Sequence, residues 1–240
     1  EITMTNGSND TGDTSDITWL DGDVPVSQVF DDPFYSKRDG RAEVGHVFLG
    51  GNDLPARWVG VEAFAIAELG FGTGLNFVET WRQWTDVRQP GQKLKYTSFE
   101  RFPMTASEMK RALAPWPDIQ PFAIQLSHHW SQRTNAVGPW SIDSQTELHV
   151  MIGDVNKTLP AWDGIADAWF LDGFSPAKNA DMWSSELMQE VAAHTNDRGT
   201  FATYTAAGWV RRNLEQAGFS VTKRPGHAGK RDMSCGVLAK

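Results

Sequence analysis

The chain has 240 residues, of which 40% are hydrophobic, and a formal net charge of −8. That length and apolar share suit one globular domain with a sizeable core, while a single cysteine, Cys235, excludes a disulfide framework and a Cys-rich zinc site. The acidic balance has the wrong sign for a general nucleic-acid binder. No apolar run reaches membrane-spanning length and no signal-peptide core opens the chain, so a cytoplasmic protein is expected.

Residues 1–16 are polar and predict a disordered leader. Residues 17–58 predict a strand-rich N-terminal cap or lid. Val24, Val26, Val29 and Phe30 suggest short extended pieces there, and Val44, Val47, Phe48 and Leu49 suggest another, closed by a turn at 50–53. The main domain is expected over 59–240. It opens with a buried strand at 64–69, a glycine turn and an amphipathic helix at 75–84. A strand at 95–100 follows, then a helix at 105–113 begun by a capping box of Thr105 and Glu108. A helix at 122–131, a loop at Gly138-Pro139 and strands at 148–152 and 168–171 come next. A helix at 182–194, a strand at 199–205 and a helix at 209–217 lead to a final strand pair at 219–223 and 234–238. Strands alternating with helices predict an α/β fold, with a mostly parallel sheet covered on both faces and an antiparallel C-terminal pair.

The glycine turn carries the first chemical signal. Gly70, Gly72 and Gly74 fall at every second position between strand and helix, a device that brings a nucleotide-like ligand against backbone N–H groups. A dinucleotide fingerprint needs G-x-G-x-x-G, and its third glycine would fall on Leu75 or Phe77. No lysine follows to make a phosphate loop. The remaining pattern, E-x-G-x-G-x-G from Glu68, resembles the first motif of class I S-adenosylmethionine-dependent methyltransferases. Glu68, Gly70, Phe71, Gly72, Thr73, Gly74 and Asn76 are therefore candidates for holding that ligand.

Ligands of such sheets bind at the carboxyl ends of the strands. Glu100 ends one strand, and as an acceptor-only carboxylate it suits the two hydroxyls of a ribose. Gly153-Asp154 ends another: the acid suits an adenine amino group, and the glycine leaves room for the base. Asp172 ends a third, followed by Gly173, Phe174, Ser175 and Pro176.

Several longer blocks carry a more specific resemblance: FDDPFYS (30–36), FLGGN (48–52), GFGTGLNF (70–77), ADAWFLDGFSPAKNADMW (166–183), GTFATYTAAGWVRR (199–212) and GHAGKRDM (226–233). Together they resemble the methyltransferase half of the MnmC family, which makes 5-methylaminomethyl-2-thiouridine in tRNA. The match runs from about Trp19 onward and does not include the FAD-dependent oxidase half, so it is similar to a stand-alone methyltransferase form. The resemblance implies a Rossmann-like class I methyltransferase sheet and methyl transfer from S-adenosylmethionine to 5-aminomethyl(-2-thio)uridine at the tRNA wobble position. It implies Asp172 as the catalytic carboxylate, also touching the cofactor, and Phe30, Asp31, Asp32 and Tyr35 as a lid over it. Phe34-Tyr35 stands in reverse order from the family's Tyr-Phe, which leaves open which ring meets the ligand. Phe174 and Pro176 would wall a flipped-out uridine, and Lys178, Arg211, Arg212, Lys230 and Arg231 would meet phosphates of the tRNA anticodon loop. A separate enzyme supplying the aminomethyl precursor is expected, and no metal, since His128-His129 has no partner at ligand spacing. A small-molecule or protein methyltransferase and an inactive tRNA-binding homologue are the alternatives.

Overall fold

The computed structural model describes residues 16–36, 38–132, 138–227, 229 and 232–239. The chain begins with a small antiparallel sheet of β1 (Ile17–Leu20), β2 (Val24–Ser27) and β3 (Asp32–Pro33). The segment expected to be extended around Val44 is helical instead. Helix α1 (Gly40–Glu43) is capped by Asp39, which accepts from the Ala42 N–H, and it continues as a π-helical stretch, Val44–Leu49. The physical reason is legible in hindsight. Val44, Val47 and Phe48 stand at i, i+3 and i+4, the spacing of one helix face, and all three are buried.

An eight-stranded sheet follows. Its strands are β4 (Ala63–Leu69), β5 (Lys93–Glu100), β6 (Trp140–Asp143), β7 (Thr146–Ile152), β8 (Ala166–Leu171), β9 (Thr195–Thr203), β10 (Phe219–Pro225) and β11 (Asp232–Leu238). Their spatial order is β10-β11-β9-β8-β4-β5-β7-β6. The five strands β9, β8, β4, β5 and β7 are parallel, β6 and β11 run against them, and the edge strand β10 pairs antiparallel with β11. Strand β6 was not anticipated; the helix expected at 182–194 divides into a 3₁₀ turn, Ala180–Trp183, and α6 (Ser185–Ala193), with Ser184 capping the latter.

Crossover helices cover both faces. Helices α2 (Leu75–Val87), α3 (Ala106–Leu113) and α4 (Gln120–Ser131) pack on one side; α6 and α7 (Gly208–Gln216) pack on the other, near the short α5 (Val155–Thr158). The strands serve both faces by alternation. Phe64 and Ile66 of β4 join the α2 side, whereas Ala67 and Leu69 join the α6 side. Thr105 and Glu108 form the expected capping box at α3. Val44, Phe48 and Trp58 belong to the same core cluster as Phe64 and Phe170. Trp58 sets its ring edge-on to Trp84 at 5.5 Å; a fully buried large apolar side chain stabilises by about 1.5–3 kcal/mol. Among the described residues, no helix is long and apolar enough to cross a membrane.

The strand order reverses between β4 and its neighbours β5 and β8. Such a switch point opens a crevice beyond the carboxyl ends of the strands.

Candidate active site

A cavity of about 560 Å³ occupies that crevice. Gly70–Thr73, Leu75 and Asn76 line it from the end of β4, Glu100–Phe102 from β5, Gly153–Asn156 from β7, and Asp172–Ser175 from β8. Residues of the N-terminal segment close it from above, among them Phe30, Phe34, Tyr35 and Phe48. The volume lies within the range of ligand sites, about 300–1,000 Å³.

Gly70 turns the chain out of β4 at φ +88°, and a Cβ there would fall 2.4 Å from the Asp172 carbonyl oxygen. Only glycine accepts both the left-handed backbone and that approach. The loop's next glycine, Gly72, donates its N–H to Glu100 Oε2 at 2.8 Å, and Phe102 N–H donates to Glu100 Oε1 at 2.7 Å. Burial raises the Glu100 pKa, against the pull of these N–H groups. The Arg101 and Phe71 N–H groups also bear on this carboxylate and pull its pKa down.

Glu68 and Asp172 end neighbouring parallel strands and project toward the α2 side of the sheet. Asn76, in the first turn of α2, lies between them. Its Nδ2 donates to Glu68 Oε1 at 2.8 Å and to Asp172 Oδ2 at 2.7 Å. Glu68 has no solvent exposure. Its pKa is pushed up to about 8, chiefly by burial, with a further push from the charge of Asp172. Its Oε2 makes no hydrogen bond of standard geometry, although the Ser98 and Tyr96 hydroxyls lie beside it.

At the next strand end, Gly153 lines the cavity and Asp154 caps α5, its Oδ1 accepting from Asn156 N–H at 3.0 Å. That backbone bond draws the Asp154 pKa down. Phe71 contributes main chain to the wall, while its ring stacks on Trp130 at 5.1 Å in the core. Thr73 Oγ1 accepts from Leu75 N–H and so helps begin α2.

The roof is aromatic. Phe30 stacks on Phe174 with ring centroids 4.7 Å apart, and Phe34 meets Phe174 edge-on at 5.1 Å. Phe34 also packs above Gly72, its ring 3.1 Å from where a Cβ would stand. Tyr35 points elsewhere: its hydroxyl donates to the carbonyls of Ala112 and Asp23, and its ring lies edge-on to Trp116. Asp32 clips the roof to the β8 loop by accepting the Ser175 N–H at 2.9 Å.

Of the residues singled out in the sequence, Glu68 lies just under the floor, behind Asn76, and most of the others line the cavity. Asp31, Gly74, Pro176, Lys178, Arg211 and Arg212 do not; the open side of Gly74 faces Leu126, Met109 and the Phe71 ring. Lys178 is held at Asp31 and Asp32, bonding the Asp31 carbonyl. Arg211 and Arg212 lie on α7, Pro176 is buried, and Lys230 and Arg231 fall outside the described residues. Sequence reasoning missed Arg101, Phe102 and Tyr204, which line the cavity. Arg101 and Phe102 directly follow Glu100, so adjacency to a strand-end acid was a usable signal; Tyr204 had none.

The residues present fit S-adenosylmethionine. The glycine loop presents main chain where a side chain would collide, Glu100 lines the cavity beside that loop, and acids stand at four strand ends.

Fold and cavity together define an α/β protein of the class I methyltransferase type. Residues 117–239, just over half of the chain, match the family described as S-adenosyl-L-methionine-dependent methyltransferase, and the chain belongs to that family. It is 44% identical over 228 residues to the tRNA 5-methylaminomethyl-2-thiouridine biosynthesis bifunctional protein MnmC of Chromobacterium violaceum, a match covering 93% of this chain and 34% of that protein. The protein of that name from Caulobacter sp. strain K31 is 44% identical over 225 residues, covering 90% and 37%. The chain thus spans about a third of the length of these relatives. The crystal structure of MNMC2 from Aquifex aeolicus superposes with a TM-score of 0.73 at 21% identity, covering 97% of this chain and 73% of the other, which shows a shared fold.

Proposed function

We propose that this chain methylates the primary amine of 5-aminomethyl(-2-thio)uridine at the wobble position of tRNA, giving the 5-methylaminomethyl nucleoside. The observation that carries the reading is the Asp172 carboxylate. It lines the same cavity as the glycine loop and the Phe30–Phe174 stack, so an acid, a nucleoside cradle and an aromatic wall converge. The relatives' name supports it, since a methylaminomethyl product requires one methyl on an aminomethyl nitrogen.

S-adenosylmethionine, when bound, supplies a sulfonium methyl: an N–C bond forms as an S–C bond breaks, and the sulfur leaves as a neutral thioether. The chain's residues do the rest. Gly70, Phe71, Gly72 and Thr73 would hold the cofactor by main chain, with Gly74 turning the loop into α2, Glu100 would take the ribose hydroxyls, and Gly153-Asp154 would receive the adenine. Asp172 orients the acceptor amine, and takes the proton that nitrogen releases on gaining its methyl. Phe174 with Phe30 and Phe34 receives the uracil ring after it leaves the anticodon stack, and the closed roof excludes water. Residues 17–58 act as the lid to the catalytic domain at 59–240. The substrate must already carry its aminomethyl group, so another activity provides it, and a tRNA substrate puts the reaction in the cytoplasm.

The test is methyl transfer from labelled S-adenosylmethionine to tRNA from cells lacking this activity, followed by nucleoside analysis. Label in a 5-methylaminomethyl-type uridine is expected. Cofactor binding without label in tRNA would point to a small-molecule or protein acceptor. Asp172→Ala is expected to abolish turnover at saturating substrate, and unchanged turnover would remove Asp172 from its role.

A further inference from the structure

One nitrogen at the floor of the cavity serves two acids. Asn76 Nδ2 lies 2.8 Å from Glu68 Oε1 and 2.7 Å from Asp172 Oδ2. An amide nitrogen has two hydrogens, and both are taken. The reverse amide orientation would set its carbonyl oxygen against two carboxyl oxygens. Asn76 is 5% exposed and Glu68 is 0% exposed, so water does not substitute for the amide.

We infer that Asn76 is a positioning residue: it fixes the carboxylate plane of Asp172 and holds it apart from Glu68, so that Asp172 alone presents charge to the acceptor amine. Three observations build this. First, β4 and β8 are adjacent and parallel, with Glu68 opposite Phe170, so Asp172, two residues past Phe170 on the same face, comes beside Glu68 at the strand ends. Second, a misplacement of about an ångström in a group that orients the substrate costs about a hundredfold in rate. Third, the groups facing Glu68 are Tyr96 and Ser98 from β5, Asn76 from α2 and Asp172 from β8. None is a cation: the Ser98, Tyr96 and Asn76 donors pull the Glu68 pKa down, but burial and the Asp172 charge outweigh them. With its pKa near 8, Glu68 carries a proton at neutral pH. Because both N–H groups of Asn76 point at acids, its effect on the reaction passes through Asp172 rather than through a contact of those N–H groups with the cofactor.

This inference rests on the methyl transfer proposed above, and its test separates the two. The variants are Asn76→Ala and the isosteric Asn76→Asp, each also combined with Asp172→Ala; both single variants are checked for folding by circular dichroism. In the wild-type background, kcat is expected to fall about a hundredfold, while the Kd for S-adenosylmethionine by calorimetry moves less than about threefold. In the Asp172→Ala background, loss of Asn76 is expected to do nothing more. A Kd that rises in step with the loss of kcat, or losses that multiply in the double variant, would overturn the inference. A readout independent of activity is the carboxyl ¹³C NMR titration of Glu68. Its midpoint is expected near 8, lower in Asp172→Asn, which removes a neighbouring charge, and higher in Asn76→Ala, which removes a donor to the carboxylate. A midpoint unmoved by both changes would overturn the inference even in a chain that proved inactive on tRNA. Wild-type inactivity combined with the expected NMR shifts would sink the tRNA reading and keep the coupled triad.

Discussion

Gly70 and Asp172 touch through their main chains: a Cβ on Gly70 would lie 2.4 Å from the Asp172 carbonyl oxygen. The strand that begins the glycine loop and the strand that delivers the candidate catalytic acid are therefore set against each other with no side chain between. Gly70 also sits at φ +88°.

Gly70→Ala tests that contact. A non-glycine residue in left-handed backbone costs about 1–3 kcal/mol, and the overlap with a backbone oxygen must be relieved by moving β4 or β8. Thermal denaturation is expected to show a fall of several degrees. Turnover should fall more than stability, because relief displaces Asp172. A folded variant with wild-type kcat would show that the two strand ends move freely.

Glu100 holds Gly72 and Phe102 by their N–H groups at 2.8 and 2.7 Å. Glu100→Ala leaves both donors without an acceptor and opens the glycine loop. Hydrogen bonds to charged groups are worth about 1.5–3 kcal/mol, so cofactor affinity by calorimetry is expected to drop by roughly tenfold to a hundredfold. Glu100→Gln should lose nearly as much, because its amide nitrogen faces a backbone N–H. Full affinity in Glu100→Gln would mean that one accepting oxygen suffices.

Phe34 and Tyr35 are expected to separate cleanly. Tyr35→Phe removes a hydroxyl that bonds the Ala112 and Asp23 carbonyls and nothing in the cavity. It should cost about 1 kcal/mol of stability in urea denaturation and leave the cofactor Kd unchanged. Phe34→Ala strips the ring from above Gly72 and from Phe174, and both the cofactor Kd and the tRNA KM should rise. The opposite assignment of effects would mean that the roof rearranges when ligand enters.

The sequence displayed what depends on local pattern. Strand, glycine turn and helix around Gly70 could be placed because the apolar period changes from two to three at the glycines. The strand-end acids followed from counting along alternating elements. What stayed hidden depends on partners far along the chain. Asn76 stands in the glycine motif and reads as a cofactor contact, yet the carboxylate it binds is 96 residues away and arrives only through the β4–β8 register. Lys178 reads as a free cation, but Asp31 and Asp32 reach it from the N-terminal sheet. Tyr35 reads as a lid residue because nothing local reveals that Ala112 sits under its hydroxyl. The π-helical turn at Val44 was a different kind of miss, since its i, i+3, i+4 pattern was present and the following Gly50-Gly51 suggested the end of a strand.

Glu68 gives stability a particular pH dependence. Its carboxyl titrates near 4.5 ordinarily and near 8 in the folded chain, through burial first and the Asp172 charge after it. Between those values the unfolded chain has released a proton that the folded chain still holds. Stability from this group is therefore greatest below pH 4.5 and declines as pH rises toward 8, at up to about 1.4 kcal/mol per pH unit. Glu68→Gln removes the titration, so its urea midpoint is expected to decline less than that of wild type from pH 5 to pH 8. Parallel curves would mean that Glu68 is ionised in the folded chain.

Cations at the cavity rim are expected to differ in what they give to tRNA binding. Arg101 is exposed, lines the cavity and lies over the Phe102 ring at 5.2 Å. Lys178 already faces two carboxylates, with Asp32 Oδ1 at 3.8 Å. A cation that neutralises a phosphate releases a counterion, and removing it lowers the salt slope of log K by about one. Arg101→Ala should produce that change in filter binding across a salt series, whereas Lys178→Ala should leave the slope nearly unaltered because its charge is balanced within the chain. An equal drop for both would show that Lys178 leaves Asp31 and Asp32 to meet the nucleic acid, and that the roof opens as it does so.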